Sequence, residues 1–272
     1  MQNKLTKILQ EQFKLEAFRD GQEEVIQSVV DGKDTLVFMP TGGGKSLTYQ
    51  LPGLCRDGVT LVISPLISLM KDQVDKLKEL GIRTELINST IDSYDIQIIL
   101  NDLSNPNTDI KFLYIAPERL NSSEFLRVIS GVNIALVAID EAHCISQWGH
   151  DFRPSYMKIN GFLDKLKISA SFPIVALTAT ATKKVRADII ERLGLDDYNS
   201  FTAGFDRKNI TIIVREISKK SEKIDKVVEI LNKTKGSGII YCSSRKAVKE
   251  LYDVLQQNGV KVGMYTGAMS PD

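Results

Sequence analysis

Paired cysteines, a histidine cluster, an excess of either charge and a long apolar run are all missing from this sequence. The 272 residues hold three cysteines, Cys55, Cys144 and Cys242, and two histidines. No CxxC pair occurs, so the spacing gives no zinc site within this chain. Isolated cysteines fit a reducing cytosol better than an oxidising exterior. Lys and Arg (35) balance Asp and Glu (34) to a formal net charge of +1. That balance excludes a globally basic surface as the means of holding nucleic acid, and any such site has to be a local groove with few phosphate contacts. No apolar run approaches the ~20 residues that span a bilayer, and the charged N-terminal stretch lacks the apolar core of a signal peptide. The chain reads as soluble and cytoplasmic, with no membrane partner.

What is present is enough apolar material for a sizeable core, 43% of the residues, which argues against wholesale disorder. Short runs of Val, Ile and Leu recur at 35–38, 59–63, 111–115, 134–139 and 174–177. They are nearly continuous in apolar character, as strands covered on both faces of a parallel sheet read. Helix-like stretches at 22–30, 68–80 and 92–103 lie between them, so the pattern predicts an α/β doubly wound domain with its chemistry in the loops after the strands. The pattern pauses at 202–220. A second unit then reads as a buried strand at 238–241, a helix at 245–257 and a strand at 260–265. On that helix Ala247, Leu251, Val254 and Leu255 share an apolar face. The expected organisation is 1–203 for the first domain, 204–220 for a linker and 221–272 for the start of a second domain, with thin cover for its sheet.

The first run leads into Met39-Pro40-Thr41-Gly42-Gly43-Gly44-Lys45-Ser46 and then a helix-compatible stretch. Glycines let backbone N–H groups close around phosphate oxygens, and the helix N-terminus turns its partial positive charge on the same anion. Lys45 would reach the β- and γ-phosphates and Ser46 would offer its hydroxyl to Mg²⁺. The strict pattern wants glycine where this chain has Met39, and a plain glycine-rich turn is the alternative reading. The run at 134–139 delivers Asp140-Glu141-Ala142-His143. There Asp140 is placed to hold Mg²⁺ through its waters and Glu141 to orient or deprotonate an attacking water.

Gly42 to Ser46, Asp140 to His143 and Leu177-Thr178-Ala179-Thr180-Ala181-Thr182 resemble, in order, the motifs of superfamily 2 helicases. The segment 144–156, Cys-Ile-Ser-Gln-Trp-Gly-His-Asp-Phe-Arg-Pro-Ser-Tyr, resembles the aromatic-rich loop of the RecQ family. Phe18 to Glu23, Ser64 to Met70, Ala116 to Leu120 and Phe205-Asp206-Arg207 match the same family, so the resemblance runs from about Phe13 to the last residue.

The resemblance implies a RecA-like P-loop parallel sheet flanked by helices, followed by an incomplete second RecA-like domain. It implies ATP and Mg²⁺ as cofactors, with Gln22 reading the adenine edge, Arg19 beside it and Phe13 as a stacking partner. Trp148 and Phe152 would stack on unpaired bases, with Arg153 near the phosphates. Directly after Glu141, that loop would report DNA occupancy to the hydrolytic site, and His143 could couple the two. Ser64, Pro65 and Arg119 would track a nucleic-acid backbone, ordinary turns and helix caps being the other account of them. Thr178 and Thr180 would link hydrolysis to movement, and Ser243, Ser244 and Arg245 resemble a further phosphate-contacting motif. The full-length protein would be a 3′-to-5′ DNA helicase of recombination and repair, acting on single-stranded and junction or forked duplex DNA. Arginines of the second domain, worth on the order of 10³–10⁵ in rate, would fall beyond Asp272, so this chain is expected to bind Mg–ATP, hydrolyse it poorly and unwind nothing. An RNA helicase or remodelling ATPase of the same superfamily, and a non-catalytic nucleic-acid-binding fragment, are the rival readings. A transporter-type P-loop ATPase lacks support from accompanying signature segments.

Overall fold

The structure, a computed structural model, describes residues 2–149, 151–168, 170–179, 181–203, 210–217 and 219–269. The chain divides into two compact units, Met1–Asp206 and Arg207–Asp272. In the first unit, runs rich in β-branched and aromatic residues form β1 (Asp34–Phe38), β2 (Val59–Ile63), β3 (Thr84–Ile87), β4 (Phe112–Ile115), β5 (Ile134–Ile139), β6 (Ile174–Thr178) and β7 (Tyr198–Thr202). They make a seven-stranded sheet in the order β3-β4-β2-β5-β6-β1-β7, and every ladder is parallel. Parallel neighbours need a crossover between them, which here is helical in most cases.

Successive side chains of a strand point to opposite faces, and β1 shows the consequence. Leu36 and Phe38 enter a core closed by α5 (Ser93–Leu103), α6 (Ser123–Ile129), α7 (Ile159–Lys167) and α8 (Lys183–Leu193). Val37 and the following Met39 enter the opposite core, closed by α2 (Gln22–Val30), α3 (Leu47–Cys55) and α4 (Ile67–Glu79). Helix α1 (Gln2–Phe13) lays Leu5 and Leu9 over Ile26, Leu47 and Leu51. The expected doubly wound sheet is therefore present, with the five read strands in place and β3 and β7 added at its two edges.

Because the strands are parallel, their carboxyl ends lie along one rim of the sheet. Phe38 pairs with Thr178, Ile63 with Ile139 and Ile139 with Ala176. The register brings the segments that follow β1, β2, β5 and β6 together at that rim, as expected for ligand sites of such sheets.

In the second unit the chain forms α9 (Lys220–Lys233) and α10 (Arg245–Gln257). The strands expected at 238–241 and 260–265 are not formed: neither segment takes part in a ladder among the described residues, and Ile239, Tyr241 and Tyr265 are exposed. A strand exists only through a hydrogen-bonded neighbour, and these two apolar segments have none there. Of the apolar face expected on α10, Leu255 alone is fully buried. Among the described residues of the whole chain, no helix is long and apolar enough to cross a membrane.

Candidate active site

The loop after β1 folds as its glycines require. Met39 N–H donates to Thr178 O at 3.1 Å and its side chain is 1% exposed, among Val37, Tyr49 and Leu177. The departure from the strict loop pattern is thus a core position with no part in the phosphate-facing turn. Gly44 sits at φ +85°, where a side chain is strained. Its carbonyl accepts a hydrogen bond from Gln22 Nε2 at 3.1 Å, while Gln22 Oε1 accepts from Arg19 N at 2.8 Å. Arg19 donates from Nη1 to Gly42 O. Gln22 is 2% exposed, and both halves of its amide are engaged in joining the segment before α2 to the glycine turn. Phe13 packs between the α1 cluster and the core under α2 to α4.

Lys45 and Ser46 lead into α3, and Thr48 Oγ1 donates to Lys45 O at 2.6 Å. Lys45 Nζ lies 3.7 Å from Glu141 Oε1, so the cation of the loop and the acidic turn after β5 face one another across the rim. Glu141 adopts φ 48° and ψ 46°. A left-handed conformation at a residue other than glycine costs about 1–3 kcal/mol and persists where the surroundings dictate it. It directs one carboxylate to Lys45 and to His143, whose Nδ1 lies 3.3 Å from Glu141 Oε2.

Asp140 is 8% exposed. Its Oδ1 accepts from Glu141 N at 3.0 Å, its Oδ2 from Ser64 Oγ at 3.4 Å, and its carbonyl from Tyr156 OH at 2.8 Å. Burial, helped by the neighbouring Glu141 charge and opposed by Lys45, pushes its carboxyl up to about 6. Burial also presses Glu141 upward, but the hydrogen bond from His143 and the charge of Lys45 outweigh it and hold that carboxyl below its usual value. Two adjacent carboxyls are driven apart in this way, and Glu141 is the one that stays ionised to lower pH.

His143 Nδ1 also lies 2.9 Å from Thr178 Oγ1, which ties the acidic turn to the end of β6. Thr180, the other expected coupling residue, lies outside the described residues, as do Phe205, Asp206 and Arg207 of the matching motif. The aromatic segment follows at once. Trp148 is 62% exposed, and the Lys184 ammonium stands 3.0 Å from its ring centroid. Ser146 Oγ donates to Asp188 Oδ2 at 2.7 Å and accepts from Trp148 N at 3.2 Å, so the base of the loop is fastened to α8. Phe152 is half-buried. Arg153 donates to Pro65 O at 2.9 Å and to Asp151 Oδ2 at 3.1 Å, linking the aromatic loop to the segment after β2.

Of the expected backbone track, Ser64 is buried against Asp140, while Pro65 and Arg119 are half-buried on neighbouring loops of the same rim. In the second unit Ser244 accepts from Ala247 N at 3.2 Å as the cap of α10. Sequence reasoning passed over Tyr156, Asp188 and Lys184, which brace the turn and the loop from 16 to 42 residues away in sequence, and no local pattern signals such partners. It also passed over the grouping of His143, Cys144 and Asp151, whose ligand atoms lie within 4.8 Å of one another. Burial and the Asp151 carboxylate push the Cys144 thiol up to about 12.

Residues 19–188 match the family described as DEAD/DEAH box helicase. The chain is 45% identical to the ATP-dependent DNA helicase RecQ of Bacillus subtilis (strain 168) over 273 residues, covering 100% of this chain and 45% of that protein. It is 40% identical to the ATP-dependent DNA helicase Q1 of Rattus norvegicus over 99% of this chain and 44% of that protein. It therefore spans less than half the length of these relatives. Among solved structures, the Mycobacterium smegmatis helicase Lhr bound to ssDNA and AMP-PNP superposes with a TM-score of 0.67 at 16% identity, over 98% of this chain and 38% of that one. At that identity the likeness concerns the fold.

Proposed function

The chain belongs to the DEAD/DEAH box helicase family, and from that premise we propose that the whole protein is an ATP-dependent 3′-to-5′ DNA helicase of RecQ type. It separates strands in recombination and repair, acts on single-stranded and on junction or forked duplex DNA, and works in the cytoplasm, with nucleoid DNA if the source is bacterial. The observation that carries the reading is the 3.7 Å approach of Lys45 to Glu141, with the Trp148 loop beginning a few residues further on. The residues present suit Mg–ATP: a glycine turn with free approach for phosphate oxygens, an ammonium, a hydroxyl and two carboxylates at one rim.

Bound there, Mg–ATP supplies the phosphoanhydride whose cleavage drives movement. Thr41, Gly42, Gly43, Gly44 and Lys45 would hold the phosphates, Ser46 and Asp140 would hold the cation's shell, and Arg19 and Gln22, bonded to the glycine turn, would stand on the base side. Glu141, the ionised carboxylate of the pair, accepts a proton from the attacking water. Lys45, now 3.7 Å from Glu141, would offset negative charge on the phosphates. His143, joined to Glu141 on one side and Thr178 on the other, passes strain between the water-orienting carboxylate and the end of β6. Trp148 and Phe152 stack on unpaired bases, and Arg153, Pro65 and Arg119 follow the backbone. The resemblance of 144–156 to the aromatic loop of the RecQ family, and relatives named as DNA helicases, support this reading over an RNA helicase.

For these 272 residues the test is nucleotide binding, read with a fluorescent ATP analogue and Mg²⁺. Saturable binding that Lys45→Ala lowers at least about tenfold, the equivalent of ~1.4 kcal/mol, is the expected result. Equal binding by the two chains removes the loop from the mechanism.

A further inference from the structure

Cys144 takes no part in the chemistry above, yet it is fully buried between two groups that could each bind a metal ion. Its Sγ lies 3.9 Å from His143 Nε2 and 3.7 Å from Asp151 Oδ2, and the three ligand atoms all lie within 4.8 Å of one another. Tetrahedral coordination of Zn²⁺ by sulfur, nitrogen and oxygen at ordinary bond lengths separates the ligand atoms by about 3.4–3.6 Å. The two separations to sulfur need to close by a few tenths of an ångström, and the third, between His143 and Asp151, which lies within 4.8 Å, by up to about 1.4 Å, a movement that falls to the half-exposed Asp151 side chain.

A second observation concerns the imidazole. Histidines that bind metals donate their other ring N–H to a carboxylate or similar acceptor, which fixes the tautomer. His143 Nδ1 faces Glu141 Oε2 at 3.3 Å and Thr178 Oγ1 at 2.9 Å. That places the ring proton on Nδ1 and turns the Nε2 lone pair toward Cys144. Asp151 provides the way in, since its side chain is half exposed while the other two ligands are buried. Arg153 competes for Asp151, its Nη2 lying 3.1 Å from Asp151 Oδ2.

We propose that His143, Cys144 and Asp151 form a three-ligand site for a thiophilic divalent cation such as Zn²⁺, with an open fourth position for water. On binding, the Cys144 S–H proton leaves to solvent as the metal–sulfur bond forms, and Asp151 exchanges its hydrogen bonds from Arg153 for the cation. The site spans the acidic turn and the aromatic loop, so an occupying metal pins His143 and the loop in one arrangement. That consequence rests on the helicase reading, whereas the site itself does not.

The probes are Co²⁺ and Cd²⁺, titrated into the whole chain carrying Cys55→Ser and Cys242→Ser, so that Cys144 is the sole thiol. One equivalent with a sulfur-to-metal charge-transfer band, and visible Co²⁺ bands of tetrahedral intensity, are expected. Cys144→Ser should abolish the band. Asp151→Asn, a near-isosteric change at a half-exposed position, should weaken binding about tenfold or more. Absence of the band in the Cys144-only chain, or unchanged affinity in Asp151→Asn, overturns the proposal. The same titration on Lys45→Ala separates the two readings, because the metal signal should persist there whatever becomes of nucleotide binding.

Discussion

Folding carries the Asp140 carboxyl out of water at the end of β5, and the two hydrogen bonds it accepts, from Glu141 N and Ser64 Oγ, offset only part of the desolvation. A carboxyl raised from 3.8 to about 6 binds protons more tightly in the folded chain than in the unfolded one. Its stability contribution is therefore fully present below pH 3.8 and is lost as pH rises through about 6. Above that the ionised group costs the fold on the order of 3 kcal/mol. The proposed role of Asp140 toward Mg²⁺ needs the charged form, which its surroundings disfavour. Asp140→Asn keeps the acceptor oxygen without the charge. In the absence of nucleotide and Mg²⁺, it should stabilise the chain by about 2 kcal/mol near pH 8 and by less than about 1 kcal/mol near pH 4, read from denaturant midpoints. An equal gain at both pH values would show that the buried charge is not the cause.

At the scale of elements, α3 has to lie close on the sheet for the glycine turn to reach the rim. Gly53 makes that approach possible. A Cβ there would stand 2.5 Å from Thr60 Oγ1 on β2 and 2.8 Å from Phe112 Cε1 on β4. Gly53→Ala sets two effects against each other: alanine improves the helix by about 1 kcal/mol, while overpacking costs about 1–3 kcal/mol. With two contacts under 3 Å in a buried layer, overpacking should win, giving a net loss of about 1–2 kcal/mol in urea unfolding. A gain in stability would mean that the helix can lift without cost. The same packing explains which elements were legible in the sequence. The strands read as continuous apolar runs are the interior β1, β2, β4, β5 and β6, each covered on both faces. The two missed strands, Thr-Glu-Leu-Ile of β3 and Tyr-Asn-Ser-Phe-Thr of β7, are the edges of the sheet, where cover is partial and apolar continuity lapses. The runs at 238–241 and 260–265 have the composition of buried strands, but composition cannot supply the neighbouring strand. The glycine loop and the acidic pair were readable because their partners are contiguous. Ser146 with Asp188, Trp148 with Lys184 and His143 with Thr178 are joined only by the register of the sheet, so their pairing could not be read from local pattern.

At the scale of the first unit, the parallel register places a phosphate loop, an acidic turn and an aromatic loop on one rim, with Glu141, His143 and Thr178 in hydrogen-bonded sequence between them. The central claim is that nucleotide and nucleic acid address one connected structure. Trp148 is the only tryptophan in the sequence, so its emission reports on that loop with no background. The direct measurement is a titration of this emission with a single-stranded DNA oligonucleotide, with and without Mg–ATP analogue, in the chain and in Lys45→Ala. The account requires a saturable response to DNA, stronger than to RNA of the same sequence, with a midpoint that nucleotide shifts in the chain but not in Lys45→Ala. An emission indifferent to DNA, or a DNA response identical with and without nucleotide, would contradict it.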